Sequence, residues 1–316
     1  MRLVSPDVPD APGELRAVMN VQNEALRLPA VLAHHRALGI GRFLIVDDGS
    51  TDGTTDYLLA QSDVSVFQTE GSFADGGGIG WTNSLLDRYG DGRWMLIIDA
   101  DELFVYPDCE RVGLAALTAH LEARGVQGLL ALMIDMYGPG DVQDTICEPG
   151  QSLITAAPWF DPGPYQAFRT PGFPHLQAAG GPRTRLFDFS PYQPRPPVLT
   201  KVPLVRWSRG MRFHLSTQSV TPMALPPHMA GLLHFKFLSD FPERVEAAVA
   251  AKQHYGEAQE YRAYQDRLRR DPRLRIRDKE SAAYRDTGQL VELSLMHVDA
   301  DYQAFAQAAS TAPQAR

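Results

Sequence analysis

Two apolar runs, Phe43-Leu44-Ile45-Val46 and Met95-Leu96-Ile97-Ile98, are each closed at once by carboxylates: Asp47-Asp48 after the first, Asp99-Ala100-Asp101-Glu102 after the second. Four consecutive apolar residues leave no polar face, so each run reads as a strand covered on both sides. Strands of that kind belong to parallel sheets with helices on both faces, which restricts this chain to an α/β architecture. Charges do not sit at the exit of such a strand without a partner, because an unpaired buried charge costs several kcal/mol. Ligands of open α/β sheets bind beyond the carboxyl ends of the strands, so a cation and an anionic substrate are expected there. Asp99 and Asp101 are two residues apart. In extended chain both side chains would face one side, with room for a ligand beside Ala100.

The surrounding sequence repeats a strand, helix, strand rhythm. A strand is expected over 15–21, a helix from 24 to 38 with Gly39 ending it, a strand over 43–46, a helix over 55–61 and a strand over 64–67. Glycine-rich 72–80 lacks the spacing of a phosphate loop and reads as a turn before a helix over 79–89. After the acidic cluster come an amphipathic helix near 111–124 and a further strand over 128–136. The character then changes: 149–203 holds half of the chain's 24 prolines, with Trp159, Phe160, Tyr165, Phe168 and Phe173 among them. Such a segment cannot be regular throughout, and long ordered loops of this kind commonly serve ligand binding, so it is the expected lid of the site. Beyond it, residues 232–237 read as a strand and 244–270 as one long helix. Residues 267–279 carry seven basic side chains against two acids, and read as a solvated helix end in preference to a patch for anionic lipid or phosphate.

A net charge of −8 argues against a general nucleic-acid binder. Two cysteines, Cys109 and Cys147, do not make a disulfide scaffold, and no leader or span of about 18 apolar residues is present. A soluble cytoplasmic protein is expected. The expected organisation is a loose lead-in over 1–14, a main domain over 15–240 divided near 107, and a helical region over 241–316.

Val46-Asp47-Asp48-Gly49-Ser50-Thr51-Asp52-Gly53-Thr54, followed by Ile97-Ile98-Asp99-Ala100-Asp101-Glu102, resembles the nucleotide-sugar half of a GT-A fold family 2 glycosyltransferase. Asn23-Glu24, His34-His35, Leu38-Gly39 and Asp99-Ala100-Asp101-Glu102-Leu103-Phe104 narrow the resemblance to a bacterial branch that is also similar to family 92 enzymes. Thr200-Lys201-Val202-Pro203-Leu204 and Leu233-His234-Phe235 look like that branch's downstream blocks. The resemblance implies a GT-A (Rossmann-like), mostly parallel twisted sheet flanked by helices. It implies a divalent cation, Mn²⁺ or Mg²⁺, held by Asp99 and Asp101, with His234 completing the set ahead of His214 and His228. It places nucleoside recognition at Asp47 or Asp48, helped by Asn20 or Asn23. Lys201, Lys236, Arg183 and Arg185 are its possible diphosphate partners.

An inverting transfer needs a carboxylate base for the acceptor hydroxyl. The family's usual downstream Glu-Asp pair does not occur here, which leaves Asp188, Asp135 and Glu102 as rivals. The activity implied is transfer of a sugar, UDP-linked by preference, to a hydroxyl of a glycan or lipid-linked acceptor in cell-surface polysaccharide synthesis. Peripheral contact with the membrane would go with such an acceptor. Two other readings share the sheet and the acids: a sugar-phosphate nucleotidyltransferase and a non-catalytic nucleotide-sugar-binding module. Residues 19–24 lack the glycine- and arginine-rich signature of the first.

Overall fold

The computed structural model describes residues 1–69, 77–148, 150–193, 195–214, 216–251 and 255–311. Its strands and helices begin with β1 (Arg2–Leu3), β2 (Arg16–Val21), α1 (Leu28–Leu38), β3 (Arg42–Asp47), α2 (Thr54–Leu59), β4 (Val64–Gln68), α3 (Gly77–Tyr89), β5 (Trp94–Ile97) and β6 (Glu102–Val105). They continue through α4 (Leu114–Ala123), β7 (Gly128–Tyr137), α5 (Leu153–Ala156), β8 (Trp159–Phe160), β9 (Tyr165–Phe168), β10 (Gln177–Gly180), α6 (Gly181–Leu186), β11 (Thr200–Arg206) and β12 (Ala230–Phe237). Last come α7 (Phe241–Ala251), α8 (Tyr255–Arg270), β13 (Ala282–Ala283), α9 (Thr287–Glu292) and α10 (Ala300–Thr311).

One sheet runs in the order β1-β4-β3-β2-β5-β11-β7-β12-β6, with β8 joining β7 and β13 joining β8. The pairs β4-β3, β3-β2, β2-β5 and β7-β12 are parallel; β1, β11 and β6 run against their neighbours. The α/β reading of the apolar runs holds. Phe43 and Ile45 pack into one core while Leu44 and Val46 pack into a second on the opposite face, so every side chain of that run is buried. Gly39 ends α1 at φ 107°, where its N–H meets the carbonyl of Arg36, a conformation an L side chain rarely adopts.

Two expectations are corrected. The long helix over 244–270 is two helices, α7 and α8, that pack on each other, with 252–254 outside the described residues. Their aromatic faces, including Phe241, Tyr261 and Tyr264, close on Phe187, Phe189 and Phe237 in a third core, and it is this packing that brings α8 beside the carboxyl end of the sheet. The acidic cluster is also not extended chain. β5 stops at Ile97, the Glu102 N–H donates to the Asp99 carbonyl at 3.1 Å, and β6 begins at Glu102. Asp99 and Asp101 therefore lie in a turn, whose geometry points them to different partners.

The turn expected at Gly76-Gly77-Gly78 falls partly outside the described residues, and α3 starts at Gly77. The basic run over 267–279 is tied down internally. Arg273 binds Asp141 and Asp144 at 2.6 and 2.9 Å, Arg275 donates to the Pro139 carbonyl, and Arg277 lies 3.6 Å over the Trp159 ring. Among the described residues no helix is long and apolar enough to cross a membrane.

Candidate functional site

The register of β12 builds the site. His234 pairs with Asp135 of parallel β7 on one side and with Glu102 of antiparallel β6 on the other. The Phe235 N–H donates to the Asp101 carbonyl at 2.7 Å, which fixes the acidic turn against β12. His234 Nδ1 then lies 2.6 Å from Asp135 Oδ1, and Nε2 lies 3.3 Å from Asp101 Oδ2. Asp135 is held in turn by Arg183, whose Nε and Nη2 donate to its two oxygens at 2.8 and 3.0 Å while Nη1 reaches Glu260 at 3.0 Å. Arg183 Nη2 also comes within 3.1 Å of His234 Nδ1. Because Asp135 accepts from that nitrogen, the approach is proximity between two donors and not a bond.

Arg183 reaches this position because α6 begins on Gly180-Gly181. A Cβ at Gly181, which has φ +62°, would stand 2.9 Å from the Tyr165 hydroxyl, and one at Gly180 only 2.5 Å from the Pro164 carbonyl. Side chains there would push α6 away from the hairpin it abuts.

The electrostatics follow from burial and these partners. Burial raises Asp101 and Asp135, but His234 beside the first, and Arg183 with His234 beside the second, hold both carboxyls below the usual range. Burial lowers His234, yet the two carboxylates outweigh it and raise its pKa. A group with a raised folded pKa stabilises the fold below its unfolded value of about 6.5 and loses that contribution as pH rises through the folded value. The two carboxylates contribute above their unfolded values of about 3.9 and lose their contribution on acidification. Without added metal, the stability advantage of wild type over His234→Gln is expected to be largest near pH 5–6 and to shrink by pH 9. Thermal melts across that range check it; a constant difference would contradict a protonated His234.

Lys201 of β11 forms the second half of the site. Its Nζ lies 2.5 Å from Asp99 Oδ2 and 2.6 Å from Glu102 Oε1. Glu102 is fully buried, and its other oxygen accepts the Asp99 N–H at 3.0 Å. Burial lowers Lys201, but Asp99 and Glu102 together hold it above the ordinary lysine range. Burial raises Glu102, against the pull of Lys201.

At the mouth, the half-buried Lys236 donates to the Tyr261 hydroxyl at 3.2 Å and lies over that ring. Arg244 of α7 binds Glu24 at 2.7 Å, and its charge acts on Asp101. Burial outweighs Arg244 and Arg27 at Glu24 and raises its pKa.

The site residues expected from sequence are dispersed by this geometry. Asp101 and His234 come together, whereas Asp99 turns to Lys201, so the three-ligand set of Asp99, Asp101 and His234 is not assembled. Among the described residues no group of three His, Cys, Asp or Glu side chains is disposed to hold a metal. Two protein ligands still suit Mg²⁺ or Mn²⁺, which take substrate phosphates and water for the rest. A separation of 3.3 Å fits two ligands of one such ion with bonds of about 2.1 Å. Asp135 on the far ring nitrogen is the orienting partner a metal-binding histidine commonly has. His228 lies instead beside Asp299 and the Tyr302 ring, and His214 is exposed.

The candidate bases fare differently from the expectation. Asp188 is exposed and accepts the Ser190 N–H and hydroxyl, a local turn role. Asp135 is held ionised by a bidentate guanidinium, so it is a poor proton acceptor. Glu102 has both oxygens engaged. Arg185 is bound by Asp161 and Asp278.

Of the nucleoside candidates, Asp47 is 1% exposed and accepts from the Ser50 N–H and the Thr55 hydroxyl, which makes it a turn residue. Asp48 is half-buried and accepts from Thr69. Asn23, at φ 56°, accepts the Thr51 N–H. Asn20 donates to Gly78 and Thr82 while its buried Oδ1 has no hydrogen-bond partner among the described residues.

Arg244, Glu260 and Tyr261 are not marked out by the sequence, and Glu24 is marked there only as part of a motif, without a role. Glu260 and Tyr264 stand at i, i+4 on α8, a spacing that marks a shared face but not what it faces.

No family model and no curated protein matches the chain. Among solved structures, S. aureus TarS is 18% identical over 40% of this chain and 36% of its own, with a TM-score of 0.29. The mannosyltransferase PcManGT from Pyrobaculum calidifontis, in complex with GDP-Man and Mn²⁺, is 19% identical over 46% of this chain and 40% of its own, with a TM-score of 0.29. A 4-diphosphocytidyl-2C-methyl-D-erythritol synthase is 16% identical over 53% of this chain and 72% of its own, with a TM-score of 0.28. The chain spans less than half the length of the first two. At these TM-scores the likenesses carry no argument about activity.

Proposed function

We propose that this chain is a metal-assisted GT-A glycosyltransferase of the family 2 kind, taking a nucleotide-diphosphate sugar, with UDP the favoured nucleotide. The observation that carries the reading is the Asp101–His234 pair, backed by Asp135 and set at the carboxyl end of the sheet among the cations Lys236 and Arg244. Asp101 and His234 would hold Mn²⁺ or Mg²⁺, with the exposed side of Asp99 adjoining, and the imidazole favours Mn²⁺. When bound, the cation would neutralise the charge that grows on the leaving diphosphate. Lys236 and Arg244 supply further positive charge at the mouth. The Oδ1 of Asn20, without a hydrogen-bond partner among the described residues, is suited to accept a base N–H, and Asp48 a ribose hydroxyl. The acceptor is a hydroxyl of a glycan or lipid-linked glycan, met on the cytoplasmic side in cell-surface polysaccharide synthesis.

The full engagement of Glu102 and Asp135 favours a second reading, a nucleotide-sugar-binding module without transfer. A thermal-shift panel of nucleoside diphosphates with and without Mn²⁺ tests the donor class. A ligand at about a hundred times its Kd should stabilise by roughly 2.7 kcal/mol, several degrees for a chain of this size. UDP shifting the melt only with Mn²⁺ is the expected result, and no response to any nucleotide under any metal would overturn both readings. Metal-dependent release of sugar from the donor then separates enzyme from binder.

A further inference from the structure

A cleft of about 500 Å³ opens between the β9–β10 connection, the segment leading into β12 and the start of β7. Its walls are apolar: Leu130, Leu176, Met223, Leu225 and Met229 line it, all of them only half-buried, stiffened by Pro174, Pro226 and Pro227. That volume lies in the range of small-ligand sites, and half-exposed aliphatic side chains gathered in a concavity lose water contact when an apolar body fills it.

Two further observations give the ligand a polar end. Arg169 lines the cleft and is exposed, and no hydrogen bond or ion pair joins it to another described residue. Among the described residues it is the one lining side chain with a fixed charge. His175 and His228 also line the cleft and are buried, and the Nε2 of each has no hydrogen-bond partner among the described residues. Burial lowers both imidazoles, His228 to about 4. Buried polar atoms without partners are rare in folded proteins and commonly mark a place a ligand or water completes.

We propose that this cleft is a binding site for a single-chain amphiphile, its apolar chain along Leu130, Leu176, Met223 and Leu225 and its phosphate head on Arg169. Charge complementarity selects the head, and no carboxylate stands among the described lining residues to compete with it. The assignment does not rest on the transfer reading, since none of these residues belongs to the Asp101–His234 site.

The test is calorimetric titration of the full chain with dodecyl phosphate below its micelle concentration. Saturable one-to-one binding is expected, weakened roughly tenfold by Leu225→Gln and by Leu176→Gln, neutral changes at two half-exposed positions that remove apolar contact without adding charge. Arg169→Glu should weaken the phosphate ligand by about tenfold and abolish its advantage over dodecyl maltoside. Asp101→Asn should leave amphiphile binding unchanged, so failure of the donor site and failure of the cleft are distinguishable. Non-saturable uptake, binding by the Leu225→Gln and Leu176→Gln variants as tight as by wild type, full competition by inorganic phosphate, or association with anionic vesicles alone would each overturn the proposal.

Discussion

Replacing Lys201 by methionine is expected to destabilise the protein by about 3–5 kcal/mol, because removing one partner of a buried ion pair leaves the other charge uncompensated. Glu102 is the group left behind: it is fully buried, and its second oxygen is already committed to the Asp99 N–H. Asp99 is half exposed and can recover water. Typical domains hold about 5–15 kcal/mol in total, so the variant should sit close to its unfolding threshold at 37 °C. Urea unfolding followed by circular dichroism measures the loss. Lys201→Met with Glu102→Gln should recover part of it, since the amide is far cheaper to bury unpaired than a carboxylate. A loss below about 1 kcal/mol, or no recovery in the double variant, would mean that Glu102 is neutral in the fold and that the lysine is dispensable to it.

Asp101→Asn should act on chemistry more than on folding. The amide keeps the volume and can still meet His234, and His234 keeps Asp135. In the proposed reaction the substitution removes a charged ligand where diphosphate charge develops, and kcat/KM for sugar transfer is expected to fall by about 10³-fold, equivalent to roughly 4 kcal/mol. The Mn²⁺-dependent thermal response to UDP should disappear with it. Activity within tenfold of wild type would remove Asp101 from the cation site and leave the proposed donor geometry without its central residue.

Much of the frame is legible in the residues. Runs such as Phe43–Val46 have no polar side, so only a strand covered on both faces suits them, and Gly39 marks its helix end by a backbone conformation few other residues adopt. The site was legible only in part. Asp101 and His234 stand in recognisable blocks, but that they meet depends on β12 lying between β7 and β6, a sheet order that no local pattern encodes. Asp135, read as a possible base, is made an orienting group by Arg183, 48 residues away. Arg244 and Glu260 carry no local signal at all, because a charged residue on a helix looks the same whether it faces water or a buried carboxylate. Asp99 illustrates the converse: its spacing from Asp101 suggested a shared face, and the turn closed by Glu102 separated them.

The sequence by itself determined the strand–helix alternation of the first hundred residues, that the sheet is covered on both faces, and that carboxylates gather where its central strands end. Periodicity and turn chemistry act over a few residues, and those features need no more. Tertiary structure alone decided which charge meets which. Pairings such as Lys201 with Glu102, Arg183 with Asp135 and Arg244 with Glu24 join residues far apart in the chain, and burial raises the cost of leaving any of them unpaired. The sheet order thus splits one acidic strand end between two partners, a buried lysine on one side and a histidine on the other.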